Sequence, residues 1–197
     1  HLPLPIDVVM EDITGLNSQD VISEHMQAEA SLMNLPGSSL KTTYAIAYSL
    51  LVDIVNLIGW EKLLVLRSDI FVMEEEFHDK RLCERWLDNL FMLLYQDMKQ
   101  YTMWQAEQVQ FESSGTEYTR STFEWELLGL LANRLKHFNE GSLAFQVGLK
   151  QRFSGVCCKK LIEYYVNEKN RILQNYKLSS GVILKNVQQL NNLILDL

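Results

Sequence analysis

The chain has 197 residues, 47% apolar and 22% charged, with a formal net charge of −7. That length buries a real core. The acidic balance speaks against a nucleic-acid binder, which needs a basic stripe to displace counterions from phosphate; the densest basic spots are only "KQRF" at 150–153 and "KK" at 159–160.

Three cysteines, Cys83, Cys157 and Cys158, make neither an even set nor a CxxC pair, so a reducing setting without disulfides is the simpler expectation. With 9 Gly and 3 Pro there is little linker, and long stretches without breakers predict helices. "HLPLPID" opens extended because two prolines restrict it. A weak helical stretch follows at about 18–28. "LPGSS", 35–39, breaks it and offers Ser38 or Ser39 as a helix N-cap.

Over 40–58, Leu40, Tyr44, Ala47, Leu51, Ile54 and Ile58 step by three or four, the spacing of one helical face. Ile46, Leu50 and Leu57 make a second apolar side, so the helix is expected to be covered all round. Gly59 ends it. Residues 42–60 carry one charge, Asp53, near their middle; an Asp there costs about 2.5–3.5 kcal/mol in a bilayer, so a buried helix fits better than a membrane span.

A second helix shows Leu63, Leu66, Ile70, Met73 and Phe77, and a third Leu87, Leu90, Phe91, Leu94, Met98 and Tyr101. "ESSGTEYTRST", 112–122, is a polar loop. Further helices are expected at about 123–137, 139–152, 156–175 and 181–197. No period-two strand is evident, so the fold class is all-α. The last helix carries an apolar face, Ile183, Val187, Leu190, Ile194 and Leu197, that reaches the final residue. With a first residue other than Met, this reads as a piece of a longer protein.

Residues 123–155 carry a denser pattern. A tetratricopeptide repeat is two helices in 34 residues with a fixed alternation of small and large side chains. Trp125 falls on its Trp position, Leu128 and Gly129 on its Leu-Gly, Gly141 and Gly148 on the small positions of the second helix and Phe145 on its aromatic one. Ala132 replaces the usual Tyr, and the closing proline is missing near Gly155. The register places Gly129 against the second helix near Gly141 and Phe145. The resulting organisation is an irregular helical segment over 1–111, a loop over 112–122, a tetratricopeptide-like repeat over 123–155 and a further helical pair over 156–197, an α-solenoid with a non-uniform N-terminal side.

Chemistry-bearing patterns are sparse. Glu75-x-x-His78 puts a carboxylate and an imidazole on one helical face, but a di-metal bundle uses that unit twice. His78 with Cys83 gives two zinc ligands where four are needed. Cys157 and Cys158 read as buried thiols, "GSS" at 37–39 lacks a phosphate-loop context, and Trp60, Trp86 and Trp104 read as core. No catalytic, metal or cofactor site is expected. "DMKQYTMWQAEQ", 97–108, is either interhelical packing or an exposed binding face. On the repeat, Glu126, Asn133 and Arg134 are the candidates to face a partner from the concave side.

"LPLPID", "GWEKLLVLRSDIFVMEEEF", "LYQDMKQYTMWQAE" and "FEWELLGLLANRL…AFQVGLKQRFS", in that order from residue 1 to about 176, resemble the ChAPs proteins, the fungal cargo-adaptor subunits of the exomer coat. The resemblance implies a non-enzymatic, tetratricopeptide-rich adaptor. It implies a scaffold subunit, an Arf-type GTPase and the cytosolic tails of membrane cargo as partners, at the trans-Golgi network, with export to the cell surface as the outcome. Two other readings stay open: an α-helical enzyme fragment using Glu75 and His78, and a structural solenoid spacer.

Overall fold

The structure, a computed structural model, describes residues 18–70, 82–115, 118–175 and 179–197. Nine α-helices lie among them: α1 Ser18–Gln27, α2 Ala30–Met33, α3 Thr42–Ile58, α4 Trp60–Ile70, α5 Leu82–Ser114, α6 Thr122–Arg134, α7 Phe138–Gln151, α8 Gly155–Leu173 and α9 Ser180–Leu195, with a 3-10 turn at Pro36–Ser39. The described residues contain no strand, and the all-α expectation holds. They form two compact units: His1–Glu29, Thr119–Leu130 and Phe138–Leu197 in the first, Ala30–Tyr118 and Leu131–His137 in the second. The division falls inside α6.

In the second unit, Gly59 stops α3 at a φ of 85°, a conformation that suits a residue without Cβ, and its N–H closes the helix on the Val55 carbonyl at 2.8 Å. Only one side of α3 is buried, through Tyr48, Leu51, Val52 and Val55. Ile46, Leu50 and Leu57 are 64%, 59% and 85% exposed, which corrects the expectation of a helix covered all round. The apolar residues on its other sides meet no partner that buries them among the described residues. Ser38 and Ser39 do not cap α3. Their hydroxyls turn back to the Leu35 and Pro36 carbonyls at 2.7 and 2.8 Å, and α3 starts after Lys41 without a side-chain cap.

Helix α5 is longer than its apolar pattern suggested, running through Ser114 before Gly115 turns. Leu90, Leu94, Asp97, Tyr101 and Trp104 are buried along it, alternating steps of four and three that keep one stripe facing inward. At the C-terminal end of α6 the chain turns through Lys136 in the left-handed region, φ 64°. The His137 N–H reaches the Ala132 carbonyl at 2.9 Å and the Lys136 N–H that of Asn133 at 3.0 Å, the paired bonds of a Schellman stop.

The first unit is built on close approach. Its core joins Phe145, Cys157, Leu161 and Tyr165, with Leu130, Leu149, Leu190 and Ile194 packed against them. The C-terminal stripe is therefore not bare, since Leu190 and Ile194 lie on this core. A Cβ on Gly148 would stand 3.2 Å from the Cys157 Sγ and 3.3 Å from the Trp125 Cβ, so α6, α7 and α8 meet at a residue with no side chain. Helix α6 opens with a capping box. The Ser121 Oγ accepts from the Glu124 N–H at 3.3 Å, and the Glu124 carboxylate accepts from the Ser121 N–H at 3.1 Å. Ser154 caps α8 in the same manner by accepting from the Cys157 N–H at 3.1 Å.

A Cβ on Gly129 would overlap the ring of Phe145, which is itself 1% exposed. Gly129→Leu is therefore expected to destabilise the chain by about 1–3 kcal/mol through overpacking. An exposed mid-helix glycine would instead gain roughly 0.5–1 kcal/mol on change to alanine. Thermal melts of Gly129→Leu and Gly129→Ala check this; a midpoint unchanged or raised in both would refute the close crossing.

Candidate functional site

The buried charge of the second unit is Asp97 on α5, 0% exposed. Its carboxylate accepts from the Tyr48 hydroxyl at 2.5 Å and from the Arg134 guanidinium at 2.7 and 2.9 Å. Burial, followed by the carboxylate's charge, pushes the Tyr48 phenol far above its ordinary range. Burial is the largest single effect on Arg134 and opposes its charge, but the bond to Asp97 and that carboxylate's charge, with smaller help from Tyr48, together raise its pKa. Gly37 lies so close that a Cβ there would stand 2.5 Å from an Asp97 oxygen. Each member is a donor or acceptor already used, which makes this a structural joint with no group free for chemistry.

In the first unit Ser154 also donates to Glu126 at 2.6 Å, and Arg152 grips Glu24 through two bonds of 2.9 and 2.6 Å. The Arg152 bond holds the Glu24 carboxyl below the ordinary glutamate value, against a smaller opposing effect of burial. Burial pushes the Cys157 thiol up to about 11, so it is a protonated packing residue at neutral pH and a poor nucleophile. Cys157 and Cys158 are both free thiols.

Of the residues singled out as partner-facing, Glu126 belongs to the first unit and is half-buried under Ser154. Asn133 and Arg134 belong to the second. Arg134 is committed to Asp97, and Asn133 is half-buried with no side-chain hydrogen bond among the described residues. Trp125, Leu128, Ala132, Gly141, Phe145 and Gly148 are all buried. Glu75 and His78 lie outside the described residues, and so does the side chain of Cys83. Among the described residues no group of three His, Cys, Asp or Glu is placed to hold a metal ion, and no helix is long and apolar enough to cross a membrane.

Sequence reasoning missed Asp97. Its signal was a carboxylate on the Leu90–Leu94–Tyr101–Trp104 stripe, where a solvated acid has no place. The stretch 97–108 divides between core and surface: Tyr101 and Trp104 are buried, while Met103 is 44% exposed and lines an apolar groove. Trp60 packs tilted against Phe91 and Tyr95, with ring centres 6.1 and 6.0 Å apart, and it lines two hollows of 460 and 380 Å³.

Paired helices with small residues at their crossings, and no strand among the described residues, define an all-α protein. The ChAPs family model, Chs5p-Arf1p-binding proteins, matches residues 1–78. Bud site selection protein 7 of Saccharomyces cerevisiae is 47% identical over 222 residues, covering 100% of this chain and 30% of that protein. The crystal structure of the Chs5–Bch1 exomer cargo adaptor complex matches with a TM-score of 0.80 and 49% identity over 100% of this chain and 29% of the matched chain. That of the Chs5–Chs6 exomer complex bound to a portion of Chs3 matches with a TM-score of 0.59 and 28% identity over 85% of this chain and 23% of the matched one. The chain belongs to the ChAPs family. It spans about 30% of the length of the curated relatives it matches.

Asp97→Asn should cost about 3–5 kcal/mol, because it leaves the Arg134 charge buried without its counterpart. Tyr48→Phe should cost about 1–3 kcal/mol by leaving a carboxylate lone pair unmet. Denaturant melts measure both, and a loss under 1 kcal/mol for Asp97→Asn would show that water replaces the joint.

The Glu24 pKa is lowered on folding, so its contribution is present above the ordinary glutamate value of 4.5 and is lost as pH falls through the lower folded value. Wild type and Glu24→Gln should differ by at most about 1 kcal/mol above that value, given the partial exposure of the pair, and should converge in acid. A difference that grows on acidification would contradict the assignment.

Proposed function

We propose that this chain is part of a non-enzymatic cargo adaptor in an exomer-type vesicle coat. The observation that carries the reading is the similarity along the whole chain to the Chs5–Bch1 exomer cargo adaptor complex. The partners in this reading are a Chs5-like scaffold subunit, an Arf-type GTPase and the cytosolic tails of membrane cargo. The family description supports the first two, and a relative's complex bound to a portion of Chs3 supports the third. The place of action is the cytoplasmic face of the trans-Golgi network, with peripheral attachment through the assembled coat and export to the cell surface as the outcome.

Residues 123–155 serve as a tetratricopeptide-like repeat in this proposal, reached through the segment 112–122 and followed by a helical pair over 156–197. Residues 1–111 form the irregular helical part. Within the repeat, Asn133 is the partner contact of the three candidates, because Glu126 and Arg134 already hold Ser154 and Asp97.

A chimera tests the reading. The segment of Bch1 that matches this chain is replaced by the chain itself, and the product is expected to co-purify with Chs5. A chimera that is folded by circular dichroism and yet leaves Chs5 behind would overturn the assignment.

A further inference from the structure

The two hollows beside Trp60 share that residue and Tyr95. The larger is bounded by Leu64, Phe91 and Met92 and ends at the Arg67–Asp88 ion pair. The smaller is bounded by Met98, Met103 and Ala106, with Lys99 at its edge. Met92, Tyr95 and Met103 are 57%, 47% and 44% exposed, an unusual amount of soft and aromatic surface on one seam. Unbranched methionines adapt to more than one shape, which suits a surface that receives short segments.

Charge sets the chemistry of the occupant. Arg67 is neutralised by Asp88 and lies over the Phe91 ring at 5.1 Å, so the larger hollow is apolar and balanced. Lys99 is exposed and makes no ion pair or hydrogen bond among the described residues. The groove therefore presents a single uncompensated positive charge, at the smaller hollow.

Spacing sets the shape. Met92 and Thr102, one in each hollow, are ten residues apart on α5, about 15 Å at 1.5 Å per residue. An extended chain covers about 13 Å in four residues and returns its side chains to one face at every second position. The hollows, 460 and 380 Å³, each have room for a bulky side chain.

We infer that this double hollow docks an extended acidic–apolar peptide segment of a partner protein. Two bulky apolar side chains four residues apart enter the hollows, and a carboxylate two residues from the one in the Met98–Ala106 hollow, on the same face of the chain, pairs with Lys99. The inference rests on the adaptor reading for the source of such a segment.

The probe is a fluorescein-labelled nonapeptide with leucine at its third position, phenylalanine at its seventh, glutamate at its fifth and ninth, and serine or glycine elsewhere. Fluorescence anisotropy against the 197-residue chain should show saturable binding. Ala106→Trp, which fills the smaller hollow from an exposed position, should weaken it at least tenfold. Lys99→Glu should do the same, and a peptide with lysines in place of the glutamates should recover tenfold on Lys99→Glu. Moving the phenylalanine by one position should abolish the gain from having two apolar residues.

Equal binding to Ala106→Trp, or no recovery with the charge-reversed peptide, would overturn the inference, with the variants' melting midpoints confirming that they fold. A dimer by sedimentation that Ala106→Trp dissolves would overturn it in favour of a second copy. Tighter binding of a helical peptide with an eight-residue spacing would overturn the extended shape. If the nonapeptide fails while the Bch1 chimera still co-purifies with Chs5, the groove assignment falls and the adaptor reading stands. A groove that binds while the chimera fails separates them the other way.

Discussion

A carboxylate with no access to water organises the second unit. Asp97 has lost its hydration, and what replaces it is one phenol and one bidentate guanidinium. Such a group is tolerated only if its partners are in place, because an unmatched buried charge is among the most expensive defects a fold can carry. Tyr48 comes from α3, Arg134 from the end of α6, and Gly37 supplies the backbone that closes over the carboxylate. The placement of three separated segments is thus fixed by one side chain. Apolar packing of α3 against α5 would hold in several nearby rotations; the hydrogen-bond geometry around Asp97 holds in one.

The first unit reaches its order by a different route. Its crossings are set by missing side chains, with the Phe145 ring occupying the space over Gly129 and the Cys157 sulfur in contact distance of Gly148. Glycine inside a helix loosens it by about 0.5–1 kcal/mol, so these helices need firm ends. Ser121 with Glu124 supplies one and Ser154 another. Ser154 then donates onward to Glu126, which ties the start of α8 to the side of α6 by a polar link as well as by packing.

Features encoded by near neighbours were legible in the sequence. Scarce breakers and apolar steps of three and four identified the helices, and Gly59 marked the end of α3 because a left-handed stop is a property of one residue. What escaped depends on distant partners. Whether Ile46 and Leu50 are covered is decided by what lies beside α3, and an apolar side chain does not declare which neighbour it lacks. Ser38 and Ser39 were plausible caps by type, but their hydroxyls found carbonyls three residues back, a competition that composition alone does not resolve. Ser121 and Glu124 showed the capping-box spacing openly and were overlooked inside a polar stretch. Asp97 was hidden for the opposite reason: one acid among Gln, Lys and Thr looks solvated until its two partners, 49 and 37 residues away, are brought to it. The apolar groove was half visible, since the run from Met98 to Trp104 mixes core and surface on adjacent helical faces.

The distance in sequence between Asp97 and Arg134 also imposes an order in time. The two are 37 residues apart, and at about 5–20 residues per second a ribosome takes roughly 2–7 seconds to make the guanidinium after the carboxylate. Throughout that interval α3 and α5 can meet only with the acid turned to water or still unsatisfied. The last stretch of the second unit, 131–137, emerges after the segment 119–130 that belongs to the first. Neither unit is therefore completed before the other has begun, and translation finishes the second unit while most of the first, 138–197, is still to be made.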